Sequence, residues 1–177
     1  MKDSHELVEA VAACYADPTA YVMLNYPWGQ PGTILEHFHG PRKWQLDFLD
    51  DWGQEIRERG FNGKSPVPPV EMSTSSGHGI GKSALVAWAV QFLMDTRPYC
   101  KGVVTANTSE QLKGKTWSEL QKWHGMSLTN GWTTYRNARG NMSLSSNKSP
   151  ETWRVDAIPW REEKSEGFAG LHAAHSS

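Results

Sequence analysis

The stretch Ser76-Gly77-His78-Gly79-Ile80-Gly81-Lys82-Ser83 constrains the fold more than any other part of the chain. Three alternating glycines end on Gly-Lys-Ser. The segment Val70–Ser75 before it is expected to form a strand, and Lys82–Asp95 after it a helix. Strand, glycine-rich turn and helix together are the setting of a phosphate-binding P-loop. The chemistry needs those residue types. Gly77, Gly79 and Gly81 let the backbone curl with its N–H groups turned inward as an anion nest. The helix N-terminus adds a favourable dipole at the same place. Lys82 supplies a point charge for the β- and γ-phosphates, and the Ser83 hydroxyl is placed to ligate Mg²⁺. ATP and Mg²⁺ are therefore the expected cofactors. The cofactor-binding set is Ser76, Gly77, His78, Gly79, Ile80, Gly81, Lys82 and Ser83, with Lys82 the catalytic candidate and Ser83 the metal ligand. The strict pattern opens on Gly where this chain has Ser76. His78 either faces the γ-phosphate or is a loop residue with its imidazole in solvent.

The rest of the chain reads as α/β. Asp3–Tyr15 has Leu7, Val8, Val11 and Ala12 at helical spacing, and Asp17-Pro18 ends it. Ala20–Leu24 is a short apolar run before a loop rich in Pro and Gly. Pro41 stands where the next helix would start, and Trp44, Phe48, Leu49, Trp52 and Ile56 form its apolar stripe, with Gly60 as the C-cap. In the helix Lys82–Asp95 the buried side is predicted to carry Leu85, Trp88, Ala89, Phe92 and Leu93. Gly102–Ala106 is a second strand and Ser109–Gly125 a second helix, with Leu112, Trp117, Leu120 and Trp123 in the core. Strands and turns follow over Thr129–Leu144, and another strand over Thr152–Ile158. This order predicts a P-loop NTPase-type partial parallel sheet flanked by helices, with a helical N-terminal approach. Residues 1–62 are the helical lead-in and 63–177 the start of the nucleotide-binding core.

Composition excludes several classes. With 177 residues and a net charge of −1, the chain can build one core and is not a basic, nucleic-acid-coating protein. Nine tryptophans point to aromatic packing. Cys14 and Cys100 lie far apart, in no metal-ligand spacing, which predicts neither a disulfide framework nor a zinc site. His172 and His175 lack the third ligand a metal site needs. The N-terminus has no signal-peptide core, and the longest apolar stretch, Ala84–Met94, is too short to cross a bilayer. A soluble protein with no membrane partner is expected, in the host cytoplasm.

A P-loop ATPase also needs an acid at the end of an apolar strand. Arg154-Val155-Asp156 has too little hydrophobic lead, Glu162-Glu163 follows a Pro-Trp loop, and Asp47 belongs to an amphipathic helix. The chain is expected to stop before that acid arrives.

Four pieces in order resemble the ATPase domain of phage terminase large subunits: Tyr26-Pro27-Trp28-Gly29, Gly40-Pro41-Arg42-Lys43-Trp44-Gln45, Ser76–Ser83, and Gly167-Phe168-Ala169-Gly170-Leu171-His172. Val103–Thr108 with Gln111-Leu112 is similar to that domain's second strand and helix. The resemblance implies a motor that couples ATP hydrolysis to translocation of double-stranded viral DNA into a capsid. Its implied partners are DNA, the portal, the small terminase subunit and further copies of the chain. It implies that Gln45 contacts adenine; the alternative is an exposed Gln45 beside an inward-packed Trp44. His78 occupies the slot where many terminases carry an arginine, a departure from the family's pattern. Arg136 and Arg139 either serve a neighbouring subunit or are solvated surface residues. In the family, Phe168–His172 precedes the strand that ends in the catalytic Asp-Glu, and a nuclease domain follows. This chain is read as ending before both, with weak turnover or none. Another P-loop ATPase, helicase-like or AAA-type, and a non-catalytic prophage remnant remain the other readings.

Overall fold

The computed structural model describes residues 4–75 and 81–160. Two short helices, α1 (Ser4–Ala13) and α2 (Pro18–Asn25), open the chain. The pair Asp17-Pro18, expected only to end the first helix, also starts the second. The Asp17 carboxylate accepts the Ala20 N–H at 2.9 Å, and Pro18 takes the first helical position, where a missing N–H costs nothing. The run Ala20–Leu24 is therefore helical. Helix α3 (Lys43–Glu58) buries Gln45, Leu49, Gly53 and Ile56, with Trp44, Phe48 and Trp52 packed partly buried along the same stripe. Gly60 follows it at φ +62, as a residue just past a helix end should.

Helix α4 (Lys82–Thr96) is the centre of the molecule. Ala84, Leu85, Ala87, Trp88, Val90, Gln91, Phe92 and Met94 are all buried, so it is covered on nearly every side rather than along one stripe. Leu93, expected inside, is 37% exposed. Tyr26 donates its hydroxyl proton to the Gln91 side chain, and Gln91 Nε2 donates to Ser127 Oγ at 3.2 Å. This satisfies a buried amide in the helix that the apolar run would otherwise strand.

The sheet corrects the expected mainly parallel one. Among the described residues it has four strands, β1 (Lys101–Val104), β2 (Thr133–Ala138), β3 (Asn141–Ser146) and β4 (Arg154–Ala157), in the order β1-β4-β3-β2. Only β1 and β4 are parallel; β2–β3 and β3–β4 are antiparallel. A tight hairpin through Gly140, at φ +78, forces the first antiparallel pair. The segment Val70–Ser75, expected as a strand, is irregular, and only Val70 and Met72 in it are partly covered. Two apolar residues give it no face to bury, and Pro66, Pro68 and Pro69 remove donors just upstream.

Residues 109–126 are helical but not uniformly α. Helix α5 (Ser109–Gln111) passes through a π-helical stretch, Leu112–Trp117, into α6 (Ser118–Met126). Leu112 and Trp117 are five residues apart, which would place them on different faces of an α-helix. The wider π turn brings both inward, and both are fully buried. Trp123 of α6 then meets Trp88 of α4 edge-on, with centroids 4.9 Å apart, and Tyr26 and Trp28 complete the cluster at 5.0 and 5.7 Å from Trp123. One hydrophobic core joins Val11, Tyr21 and Leu49 of the leading helices to Trp88 and Val155. Among the described residues no helix is long and apolar enough to cross a membrane. Cys14 and Cys100 are not joined in a disulfide.

Candidate functional site

Of the glycine-rich loop, 76–80 lies outside the described residues, and with it His78. The described part is Gly81-Lys82-Ser83, where α4 begins. Gly81 is the N-cap at φ +92 and ψ 24, a left-handed conformation that suits glycine. Its carbonyl accepts two hydrogen bonds, from Leu85 N–H at 3.2 Å and from Gln45 Nε2 at 2.9 Å. The second bond crosses from α3, thirty-six residues earlier in the chain.

Gln45 is 4% exposed, which removes the reading of it as a surface residue. At the third position of α3 its Oε1 reaches back to the Arg42 N–H at 2.9 Å, satisfying a donor that the helix start leaves open. The amide is thus a strut between the first turn of α3 and the last residue of the glycine loop. A β-carbon on Gly81 would stand 2.8 Å from Gln45 Nε2, so the two segments touch only because residue 81 has none. Gln45 keeps one N–H and one oxygen lone pair for a ligand. Trp44 is partly buried, as expected, and its indole N–H is buried without a hydrogen-bond partner.

Beside this strut lies a cleft of about 220 Å³, lined by Trp28, Phe38, Trp88 and Trp123 together with Gln45, Gly81, Arg42 and Lys122. Flat apolar walls closed by an amide suit an aromatic ring with a polar edge. Glu119, also on the wall, accepts from Trp123 Nε1 at 2.9 Å and from Lys122 at 3.2 Å, so its charge is answered. Lys82 is exposed at the helix start and Ser83 is half-buried. Among the described residues no strand leads into the loop, so the site as described stands on the loop end, the helix and the strut.

The acidic candidates do not join this cleft. Asp156 lies on β4 and is held by Arg154 at 2.6 Å, on the wall of a different cleft of about 750 Å³ shared with Lys113 and Arg139. Asp47 is exposed and paired with Lys43 at 2.8 Å. Arg136 donates to Ser145 Oγ at 2.9 Å within the sheet. Glu162, Glu163, Phe168–His172 and His175 lie outside the described residues. Among the described residues no three His, Cys, Asp or Glu side chains gather as a metal site.

Sequence reasoning passed over one polar cluster. Asp95 Oδ2 accepts from the Tyr21 hydroxyl at 2.5 Å and from Thr129 Oγ1 at 2.6 Å, and Asn25 Nδ2 donates to the Tyr21 oxygen at 2.8 Å. The signal was a lone acid closing an apolar helix. Burial pushes its carboxyl from 3.8 up to about 6, the two hydroxyl donors opposing. Between those values the folded chain keeps a proton that the unfolded chain releases, so this group lowers stability as pH rises from about 4 to about 6 and adds nothing further above that. The loss is about 2 kcal/mol, a two-unit shift discounted for partial solvent access. Urea unfolding near pH 4 and near pH 7 should show this difference in the native chain, and Asp95→Asn should remove that part of it.

No protein-family model, no curated protein and no solved structure matches the chain.

Proposed function

We propose that the chain is the ATP-binding part of a DNA-packaging motor of the terminase large-subunit type, in which ATP hydrolysis drives double-stranded viral DNA into a capsid. The observation that carries the nucleotide site is the Gln45–Gly81 hydrogen bond. It joins the lining of the aromatic cleft to the end of the glycine loop, which supports a single ligand with its base in the first and its phosphates on the second. The ordered sequence pieces from Tyr26 to His172 supply the reading of the motor type.

In this reading the residues act by position and charge. The N-terminus of α4 offers its first-turn N–H groups and the positive end of its dipole to the phosphates. Lys82 neutralises charge on the β- and γ-phosphates, and Ser83 gives Mg²⁺ one oxygen ligand. Gln45 holds Gly81 in its left-handed conformation and offers its remaining N–H to the base edge. Mg²⁺ held by Ser83 would supply further neutralisation of phosphate charge. The portal, the small subunit and further copies of the chain are partners of the same proposal.

Calorimetric titration with Mg·ATPγS tests it. Saturable binding is expected, and Lys82→Ala should weaken it about tenfold to a hundredfold, the effect of losing a hydrogen bond between charged groups. A labelled DNA duplex titrated at low salt in the same buffer tests the motor reading. Nucleotide binding without any duplex binding would leave the phosphate site standing and remove the DNA role. No nucleotide binding by a folded chain would remove both.

A further inference from the structure

At the opposite end of α4 from the glycine loop is a cavity of about 490 Å³, between α1, the helix end and one end of the sheet. It lies about 20 Å along the helix from Lys82, at roughly 1.5 Å per residue. Val8, Val11, Met94, Trp132 and Trp153 give it apolar walls, and Asp95 is part of the lining. Trp153 is fixed there by donating its indole N–H to the Met94 carbonyl at 3.0 Å.

The two carboxylate oxygens of Asp95 are used differently. Oδ2 takes both the Tyr21 and the Thr129 hydroxyls. Oδ1 has no hydrogen-bond partner among the described residues, and Asp95 is part of the cavity's lining. Neither nearby cation answers it. Arg97 stacks on Tyr15 and Phe92, at 4.1 and 4.7 Å from their ring centres, and Lys148 on the cavity rim is exposed and makes no ion pair with Asp95.

This combination selects its ligand. An anion would meet the carboxylate. A wholly apolar molecule would strip water from Oδ1 and return no hydrogen bond. A metal ion would find one carboxylate and no further acidic, histidine or cysteine ligands gathered among the described residues. An ammonium group gives Oδ1 both a donor and the opposite charge, and an aromatic or branched body covers the indoles. We propose that this cavity is a second binding site, for a small organic amine with an apolar body, held by Asp95 and packed on Trp132 and Trp153.

The test uses the whole chain, without nucleotide, and two probes of one shape, phenethylamine and 2-phenylethanol, followed through the tryptophan indole N–H signals by NMR. Phenethylamine should shift Trp132 and Trp153 saturably, leave Trp28, Trp88 and Trp123 in place, and bind about tenfold or more tightly than the alcohol. Asp95→Asn should bring the two probes to parity. Because that change touches a buried network, Val8→Trp provides a second variant: Val8 is 50% exposed on α1, and a bulky side chain there should block the cavity with the Asp95 hydrogen bonds intact. Lys82→Ala should leave amine binding unchanged, which separates this site from the phosphate site. Equal affinity for the two probes, shifts confined to the other tryptophans, or no saturable shift would each overturn the proposal.

Discussion

Replacing Gly81 by alanine should cost about 2–3 kcal/mol of stability and, at the proposed phosphate site, abolish most nucleotide binding. Two effects add. At φ +92 an alanine pays about 1–2 kcal/mol of left-handed strain that glycine escapes. Its β-carbon would also stand 2.8 Å from Gln45 Nε2, so the amide must leave the Gly81 carbonyl, losing a net hydrogen bond of about 1 kcal/mol. A double-mutant cycle separates the two. In a Gln45→Ala background the clash is gone, and Gly81→Ala should then cost only the backbone strain. Urea unfolding of the four chains gives the coupling, and Mg·ATPγS titration reports on the loop. Strict additivity would show that the strut does not bear on residue 81.

Trp88→Ala should be still more damaging to the fold, at about 3–5 kcal/mol. Trp88 is 1% exposed and meets Trp123, Trp28 and Tyr26 with ring centres 4.9, 5.9 and 6.4 Å away. Its loss would leave a void where α4, α6 and the loop after α2 converge, and would remove one wall of the aromatic cleft. The indole N–H is buried without a hydrogen-bond partner, so Trp88→Phe gives up no internal hydrogen bond and should cost far less. Thermal unfolding of both variants checks the ranking. If Phe were as harmful as Ala, packing volume would not be the reason Trp88 matters.

The parts of this fold that were legible in the sequence are those set by local pattern. The stripe from Trp44 to Ile56 reads as one helix because its apolar spacing is regular, and α4 follows from an apolar run after Gly-Lys-Ser. Helix α2 was hidden because Asp17-Pro18 serves two purposes, stopping one helix and capping the next. The segment before the glycine loop was over-read, because two apolar residues beside a motif look like a strand when the motif demands one. The antiparallel half of the sheet depends on a hairpin whose partners are chosen by tertiary packing. At the site, Gly81, Lys82 and Ser83 were visible as a motif. The burial of Gln45 and its bond to Gly81 depend on how α3 lies across α4, which no spacing along the chain encodes. The Asp95 cluster unites residues 21, 25, 95 and 129, and its members are individually ordinary.

The π stretch at Leu112–Trp117 also bears on how a chain like this tolerates changes in its length. A π turn holds one residue more than the α turn it replaces. Gly114 sits within it with open space where a β-carbon would be. Without one residue of this stretch, Leu112 and Trp117 would be four apart, a spacing that an ordinary α-helix also places on one face. A helix one residue shorter here should bury the same two side chains, so deletion of Gly114 is expected to leave α6 in place against α4.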